Sequence, residues 1–173
     1  TRNECLFLFH DGLRRDPGSG TDRAVRAAPA AFPRFSTTST QERIALLKRI
    51  EQAIRDRQAD LMAAASQEMG TPLSSVSHAS ASADNFRQMA EILGRYEFER
   101  VEGPNLIRRE AIGVCGLIAP WNWPVQTVCT KTSAALAAGC TVVVKPSEFT
   151  SITAMLLALA SAWSSWAAIG RAS

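Results

Sequence analysis

Two short apolar runs, each cut off by proline, constrain this chain more than any other feature. Ile112 to Ala119 is almost continuously apolar and ends at Pro120. Cys140-Thr141-Val142-Val143-Val144-Lys145 is the second run, and it ends at Pro146. Runs of this length without polar alternation fit strands covered on both faces, as in a parallel sheet. Between them, Pro124 stands where proline is tolerated at a helix start and Gly139 where glycine closes a helix. After Pro146 the pattern becomes helical again, with Thr150 or Ser151 placed to cap it. Strand, helix, strand, helix implies a parallel sheet joined by a right-handed crossover. Gly113-Val114-Cys115-Gly116 falls within the first strand, and no Gly-x-Gly-x-x-Gly is present, so neither supplies a phosphate loop.

The half before this unit reads as helices. Ser39-Thr40-Gln41-Glu42 forms a capping box. Ile44, Leu47, Ile50 and Ile54 follow at helical spacing, and Leu61, Met62 and Ala65 resume the apolar face after a polar stretch. Gly70 and Pro72 stop that segment. Leu73 to Arg95 predicts a third helical run with Val76, Ala79, Ala83, Phe86, Ala90 and Leu93 inward. An earlier helix is expected from about Asp22, with Ala24, Val25, Ala28 and Phe32 on one face and Pro29 breaking or kinking it. Leu6 to Phe9 reads either as a short strand or as no element, and Arg14 to Gly20 as loop. Tyr96 to Arg109 alternates, turns at Gly103-Pro104-Asn105 and alternates again, which predicts a hairpin with charged outer faces.

Composition excludes several classes. At 173 residues and 46% hydrophobic, the chain can bury one core and does not have the makeup of a disordered segment. A net charge of +3, from 19 basic and 16 acidic residues, is too small for a nucleic-acid footprint. Cys5, Cys115, Cys129 and Cys140 include no Cys-x-x-Cys pair and no His at ligand spacing, so no metal site is expected. His78 reads as a surface or packed residue on its helix. No secretory layout opens the sequence, which points to a cytoplasmic protein with free thiols. Phe149 to Gly170 carries no charge and is long enough to cross a bilayer, but Ala and Ser dilute it. A helix outside the membrane, followed by an irregular tail, is expected there.

Ligands of open α/β sheets bind at the carboxyl ends of the strands. Those ends carry Pro120-Trp121-Asn122-Trp123 and Lys145-Pro146-Ser147-Glu148, the most polar and aromatic tips in the chain. The Asn122 amide can donate to a developing oxyanion, or it can cap the helix that begins at Pro124. Lys145 and Glu148 can grip the two hydroxyls of a ribose, or form a solvated ion pair. Trp121 and Trp123 line a pocket or pack the turn.

Arg109-Glu110-Ala111-Ile112-Gly113-Val114-Cys115-Gly116-Leu117-Ile118-Ala119-Pro120-Trp121-Asn122-Trp123-Pro124 resembles the aldehyde dehydrogenase superfamily. So does Ala135-Leu136-Ala137-Ala138-Gly139-Cys140-Thr141-Val142-Val143-Val144-Lys145-Pro146-Ser147-Glu148. The resemblance reaches back through Glu68-Met69-Gly70-Thr71-Pro72 and Glu42-Arg43 and covers about residues 21–158. It implies an α/β fold: N-terminal helices, a β-hairpin, then the first βαβ part of a Rossmann-like parallel sheet. By residue range it implies a poorly matched segment over 1–20, a helical part over 21–95 and an oligomerisation-type hairpin over 96–110. A partial NAD-binding βαβ follows over 111–158, with a divergent tail over 159–173.

The same resemblance implies oxidation of an aldehyde substrate to a carboxylic acid with NAD or NADP, in a homo-oligomer. It makes Asn122 the side-chain donor of the oxyanion hole. Lys145 and Glu148 would hold the adenosine ribose, with Ile118, Pro120 and Trp121 lining the cofactor cleft. Lys131 matches a characteristic lysine on the helix between the strands. A carboxylate at the ribose repels a 2′-phosphate, so NAD is favoured over NADP.

There are also departures from the family pattern. None of the four cysteines stands in the Gly-Gln-x-Cys-type setting of the family's nucleophile, and the general-base glutamate has no counterpart here. Ala111 and Ala134 replace usual prolines, and the match fades after about Ala158. The chain therefore reads as a truncated N-terminal fragment, inactive alone. The alternatives are a non-catalytic interaction or oligomerisation module and an unproductive gene remnant.

Overall fold

The βαβ unit forms where the two proline-terminated runs place it. In a computed structural model that describes residues 7–9, 19–75 and 78–169, the first run gives β4, Val114–Ile118, and the second gives β5, Thr141–Lys145. Helix α5, Pro124–Ala137, connects them. β4 and β5 pair in parallel, with Val114 beside Thr141 and Ile118 beside Lys145. On the other side of β5 runs β1, Phe7–Phe9, also parallel, with Phe7 beside Val142 and Phe9 beside Val144. The stretch read as strand or nothing is therefore a strand, and the sheet order is β1-β5-β4.

β5 is central and behaves as its sequence requires. Val142 and Val144 are fully buried and join the core with Leu136 and Val125. Thr141, one residue out of phase and so on the opposite face, donates its hydroxyl to the carbonyl of Ala28 at 3.0 Å. β4 departs from expectation. Its residues alternate between exposed and half-buried rather than being covered on both faces. The cause is topological, since among the described residues β4 is an edge strand with β5 as its single hydrogen-bonded neighbour. Gly113 and Cys140, both assigned to strands from the sequence, lie just outside them.

The helices that pack on the sheet are α1 (Ser19–Phe35), α5 and α6 (Ser151–Ile169), and α2 (Thr40–Asp56), α3 (Gln58–Met69) and α4 (His78–Leu93) pack in turn against α5 and α6. The capping box of α2 is present in full, with Glu42 N–H donating to Ser39 Oγ and Ser39 N–H donating to Glu42 Oε2. Leu47, Ile50, Ile54 and Leu61 are wholly buried, as are Ala83 and Phe86 of α4.

Three helix expectations are corrected. α1 starts at Ser19 and runs on through Pro29 and Pro33, neither of which ends it. Packing overrides the local cost, because Ala28 is buried against the sheet and its carbonyl is held by Thr141. The single run expected from Leu73 is instead a 3-10 turn, Leu73–Ser75, and then α4; the backbone of Val76 and the side chains of Val76, His78 and Ala79 lie outside the described residues. α6 continues to Ile169 before any irregular tail begins, and among the described residues no helix is long and apolar enough to cross a membrane.

The hairpin forms as read. β2, Glu99–Glu102, pairs antiparallel with β3, Asn105–Arg108, and Glu102 lies beside Asn105 across a two-residue loop. Gly103 supplies the positive φ, 60°, that this loop needs. Its charges do face outward: Arg108 bonds Glu99 at 2.7 Å, and both side chains are more than half exposed.

Candidate functional site at the strand tips

The parallel register brings the two predicted tips to one edge. Beyond the last paired residues, Ala119 N–H donates to Lys145 O at 3.1 Å, so Pro120 leaves the sheet directly beside Lys145. Pro146 ends β5, and Ser147 then accepts from Phe149 N–H at 3.3 Å, folding a tight turn that presents Glu148. The Lys145 ammonium sits 3.4 Å from Glu148 Oε2, with both side chains more than half exposed. The backbone N–H of Glu148 and then the Lys145 ammonium hold its carboxyl below the ordinary range, so it is ionised at neutral pH. An exposed pair of this kind contributes little to folding and is free to exchange water for a ligand's hydroxyls.

At the end of β4 and just beyond it, Ile118 is 71% exposed, Trp121 52% and Trp123 46%. The tryptophans therefore do not simply pack the turn. Asn122 is not the cap of α5. The N-cap residue is Trp123, with no side-chain capping bond, and Pro124 fills the first helical position where no N–H needs a partner. The Asn122 amide is exposed and makes no side-chain hydrogen bond to any described residue, so both of its N–H groups can donate. From two turns further along α5, Lys131 donates to the Ile118 carbonyl and ties the helix to the end of β4.

The Cys115 and Cys129 thiols are not activated. Burial pushes the Cys129 thiol far up, and burial together with the neighbouring Cys140 raises Cys115. A nucleophile needs the opposite shift. Cys5 lies outside the described residues. Among those described, no group of three or more His, Cys, Asp or Glu is arranged to hold a metal.

The sequence names Glu68 and Arg43 only as part of the resemblance and gives them no role, yet both support the site. Glu68 of α3 reaches the start of α6, where its carboxylate accepts from Ile152 N–H at 2.7 Å, Thr153 N–H at 2.9 Å and the Thr153 hydroxyl at 2.6 Å. This cap replaces the expected Thr150 or Ser151 cap and fixes the helix that follows Glu148. Arg43 of α2 donates to Ala137 O at 2.8 Å, at the end of α5, and lies 4.9 Å from the Phe98 ring centre. A Cβ on Gly139 would meet that guanidinium at 3.0 Å, and the Gly139 φ is 86°, so space and conformation both demand glycine. The Glu68 bonds to α6 and the Arg43 bond to Ala137 each join residues more than eighty positions apart, and local pattern does not pair them.

A model of the aldehyde dehydrogenase family matches residues 15–165. The chain belongs to the aldehyde dehydrogenase family. The family match runs past both ends of the 21–158 stretch read from the motifs. Relatives agree with it. A 3-succinoylsemialdehyde-pyridine dehydrogenase from a Pseudomonas species is 44% identical over 140 residues, which are 79% of this chain and 29% of that protein. Aldehyde dehydrogenase C of Pseudomonas syringae, solved as a C291A mutant with NAD+ and octanal, superposes with a TM-score of 0.77 at 43% identity, covering 83% of this chain and 30% of that one. The Bartonella henselae enzyme gives a TM-score of 0.79 at 35% identity, again over 83% of this chain and 32% of that one. This aldehyde dehydrogenase chain thus spans about a third of the length of the relatives it matches.

Proposed function

We propose that this chain forms the oxyanion donor and the adenosine-ribose side of the nucleotide cleft of an NAD-dependent aldehyde dehydrogenase, which oxidises an aldehyde to a carboxylic acid. The observation that carries this reading is the strand-tip geometry. The exposed, ionised Glu148 and the Lys145 ammonium stand beside Ile118 and Pro120, and an unengaged Asn122 amide follows within two residues. The donor set fits a ribose: the carboxylate accepts from the diol and the ammonium donates to it. Bound NAD would supply the hydride acceptor. Around it, Ile118, Pro120 and Trp121 shield the nucleotide from water, and Asn122 stabilises negative charge on the aldehyde oxygen. Glu148 repels a 2′-phosphate, which favours NAD over NADP. The P. syringae relative, solved with NAD+ and octanal, supports a nicotinamide cofactor and an aldehyde substrate. The chain alone is inactive on this reading, since none of its cysteines stands in the nucleophile's setting and burial raises the thiols of Cys115 and Cys129. The reading also places it in the cytoplasm and in a homo-oligomer.

Titration of the chain with NAD, followed by tryptophan fluorescence of Trp121 and Trp123, tests the proposal. Glu148→Ala is expected to weaken NAD binding about tenfold, the loss of one charge-assisted hydrogen bond. Undiminished NAD affinity in that variant would overturn the ribose assignment. A second reading, as an interaction module, is favoured by the hairpin, where Val101 is 76% and Leu106 60% exposed. Co-purification with an intact dehydrogenase subunit, lost on Val101→Lys, would favour it.

A further inference from the structure

At the end of α5 away from the strand tips, a cavity of about 460 Å³ opens between α4, α5 and the residues that flank the hairpin. Its volume falls in the range of small-molecule sites. Met89 and Ile92 of α4 and Ala134 and Ala138 of α5 make its walls apolar. Ala134 stands where the family resemblance places a proline, and its small side chain leaves room in that wall. The cavity lies roughly 15–20 Å along α5 from Trp123, at 1.5 Å per helical residue, so it is separate from the nucleotide cleft.

Hydrogen-bond capacity and charge decide what the cavity can take. The backbone acceptors of its walls are already used. At the end of α5, Ala134 O accepts from Ala138 N–H at 3.1 Å, Ala135 O from Cys140 N–H at 3.0 Å and Leu136 O from Gly139 N–H at 3.0 Å. Ala137 O accepts from Arg43 at 2.8 Å. At the hairpin base, Phe98 O accepts from Arg109 N–H at 2.8 Å, which fixes the backbone of Arg109 at the cavity. Three polar side chains remain in the lining: Tyr96, Arg109 and Glu110. The Arg109 guanidinium carbon lies 5.8 Å from the Tyr96 ring centre. Among the described residues Arg109 makes no ion pair and the Tyr96 hydroxyl makes no hydrogen bond. Glu110 is held 3.5 Å from Arg108, which also bonds Glu99. Behind the wall, the buried Arg43 guanidinium has no carboxylate partner among the described residues, and its Nε has no hydrogen-bond partner at all. Two cations without carboxylates therefore flank the cavity, against one carboxylate that Arg108 already answers.

We propose that this cavity binds a medium-chain monocarboxylate. The alkyl chain lies against Met89, Ile92 and Ala134, and the carboxylate is held by the Arg109 guanidinium and the Tyr96 hydroxyl. A guanidinium presents a planar fork of N–H groups that matches a carboxylate, and resting over the Tyr96 ring keeps that fork in place. An alkylammonium of the same length would meet Arg109 with like charge. A neutral chain would gain the apolar wall but not the charged hydrogen bond. The inference does not rest on the nucleotide reading, because none of these residues belongs to the strand tips.

The test follows the methionine methyl groups of the whole chain by NMR while octanoate, octanamide, octylammonium or hexanoate is added. Met89 reports the cavity, and Met155, in the exposed stripe of α6, reports adsorption elsewhere. Octanoate is expected to shift Met89 saturably and to bind at least fivefold more tightly than octanamide, with octylammonium weaker still. Hexanoate, two methylenes shorter, should bind about five- to fifteenfold more weakly than octanoate. Arg109→Gln should bring octanoate and octanamide to near parity, and Ala134→Leu, which fills the wall, should abolish the Met89 shift with both. Both side chains are exposed, so neither substitution removes core, and unchanged melting temperatures check that the fold persists. The proposal is overturned by equal affinity for octanoate and octanamide, by a preference that survives Arg109→Gln, or by shifts confined to Met155. Displacement of octanoate by NAD would place it at the strand tips and overturn it too. So would a Met89 signal that moves with protein concentration and is unaffected by octanoate, which would give the cavity to a second copy of the chain.

Discussion

Glu68 shows how one carboxylate can set the geometry of a distant site. It satisfies two of the orphan N–H groups at the start of α6 and places negative charge at the positive end of that helix. Glu68→Ala is expected to lower stability by about 1–2 kcal/mol, the usual cost of losing a cap, read as a fall in the urea midpoint at unchanged slope. Glu68→Gln retains one acceptor and should lose about half as much. At the start of α2, the Ser39 hydroxyl and backbone N–H hold the Glu42 carboxyl below its usual value. A carboxyl depressed in the folded state stabilises fully above its unfolded pKa, near 4.5, and loses that contribution as pH falls through the lower folded value. Ser39→Ala should therefore move the Glu42 titration, followed by side-chain carbon NMR, back up toward 4.5. An unmoved titration would show that the box does not set it.

At the scale of elements, the contrast between α1 and α5 explains what could be read in advance. Helix α5 was legible to within a residue or two because its signals are local: Pro124 at the first position, Gly139 just past the end, and an apolar face between them. The strand tips were legible for the same reason, since proline stops each strand and parallel pairing then brings the tips together. Helix α1 was misread because its continuity is set by tertiary contacts with β5 that outweigh a local rule. β4 was misread in the opposite sense, since an apolar run states what a strand can tolerate on its faces but not how many neighbours it has. Pro29 still carries a local cost, as it offers no N–H to the Val25 carbonyl and crowds the turn before it. Pro29→Ala is expected to stabilise the chain by roughly 1–3 kcal/mol, measured as a raised melting temperature. A lowered one would mean that the proline shape is needed where α1 meets the sheet.

For the whole molecule, the decisive feature is a sheet edge left unpaired among the described residues and flanked by exposed apolar groups. Ile112 is 88% exposed and Val114 38%, both beside the unpaired edge of β4. Phe149, Ile152, Met155 and Leu159 form an exposed stripe along and just before α6, between 47% and 67% accessible. A folded monomer seldom leaves a bare edge and a long apolar stripe uncovered together, because unpaired N–H and C=O groups template another strand while the side chains favour burial. A strand placed against β4 would bury that edge, and a second copy of the chain can bring its own β4 there in antiparallel fashion across a two-fold axis. The chain is therefore expected to self-associate as its concentration rises, with a sedimentation coefficient that climbs over the micromolar range. Val114→Lys puts a charge on the edge without touching the Ile118–Lys145 cleft, and Ile152→Lys interrupts the stripe alone. If β4 is the contact, Val114→Lys holds the chain monomeric and Ile152→Lys does not; the reverse result assigns association to α6. A wild-type chain that stays monomeric to high concentration would mean that Lys131, bonded to the last carbonyl of β4, and the turn after Pro120 already guard the edge.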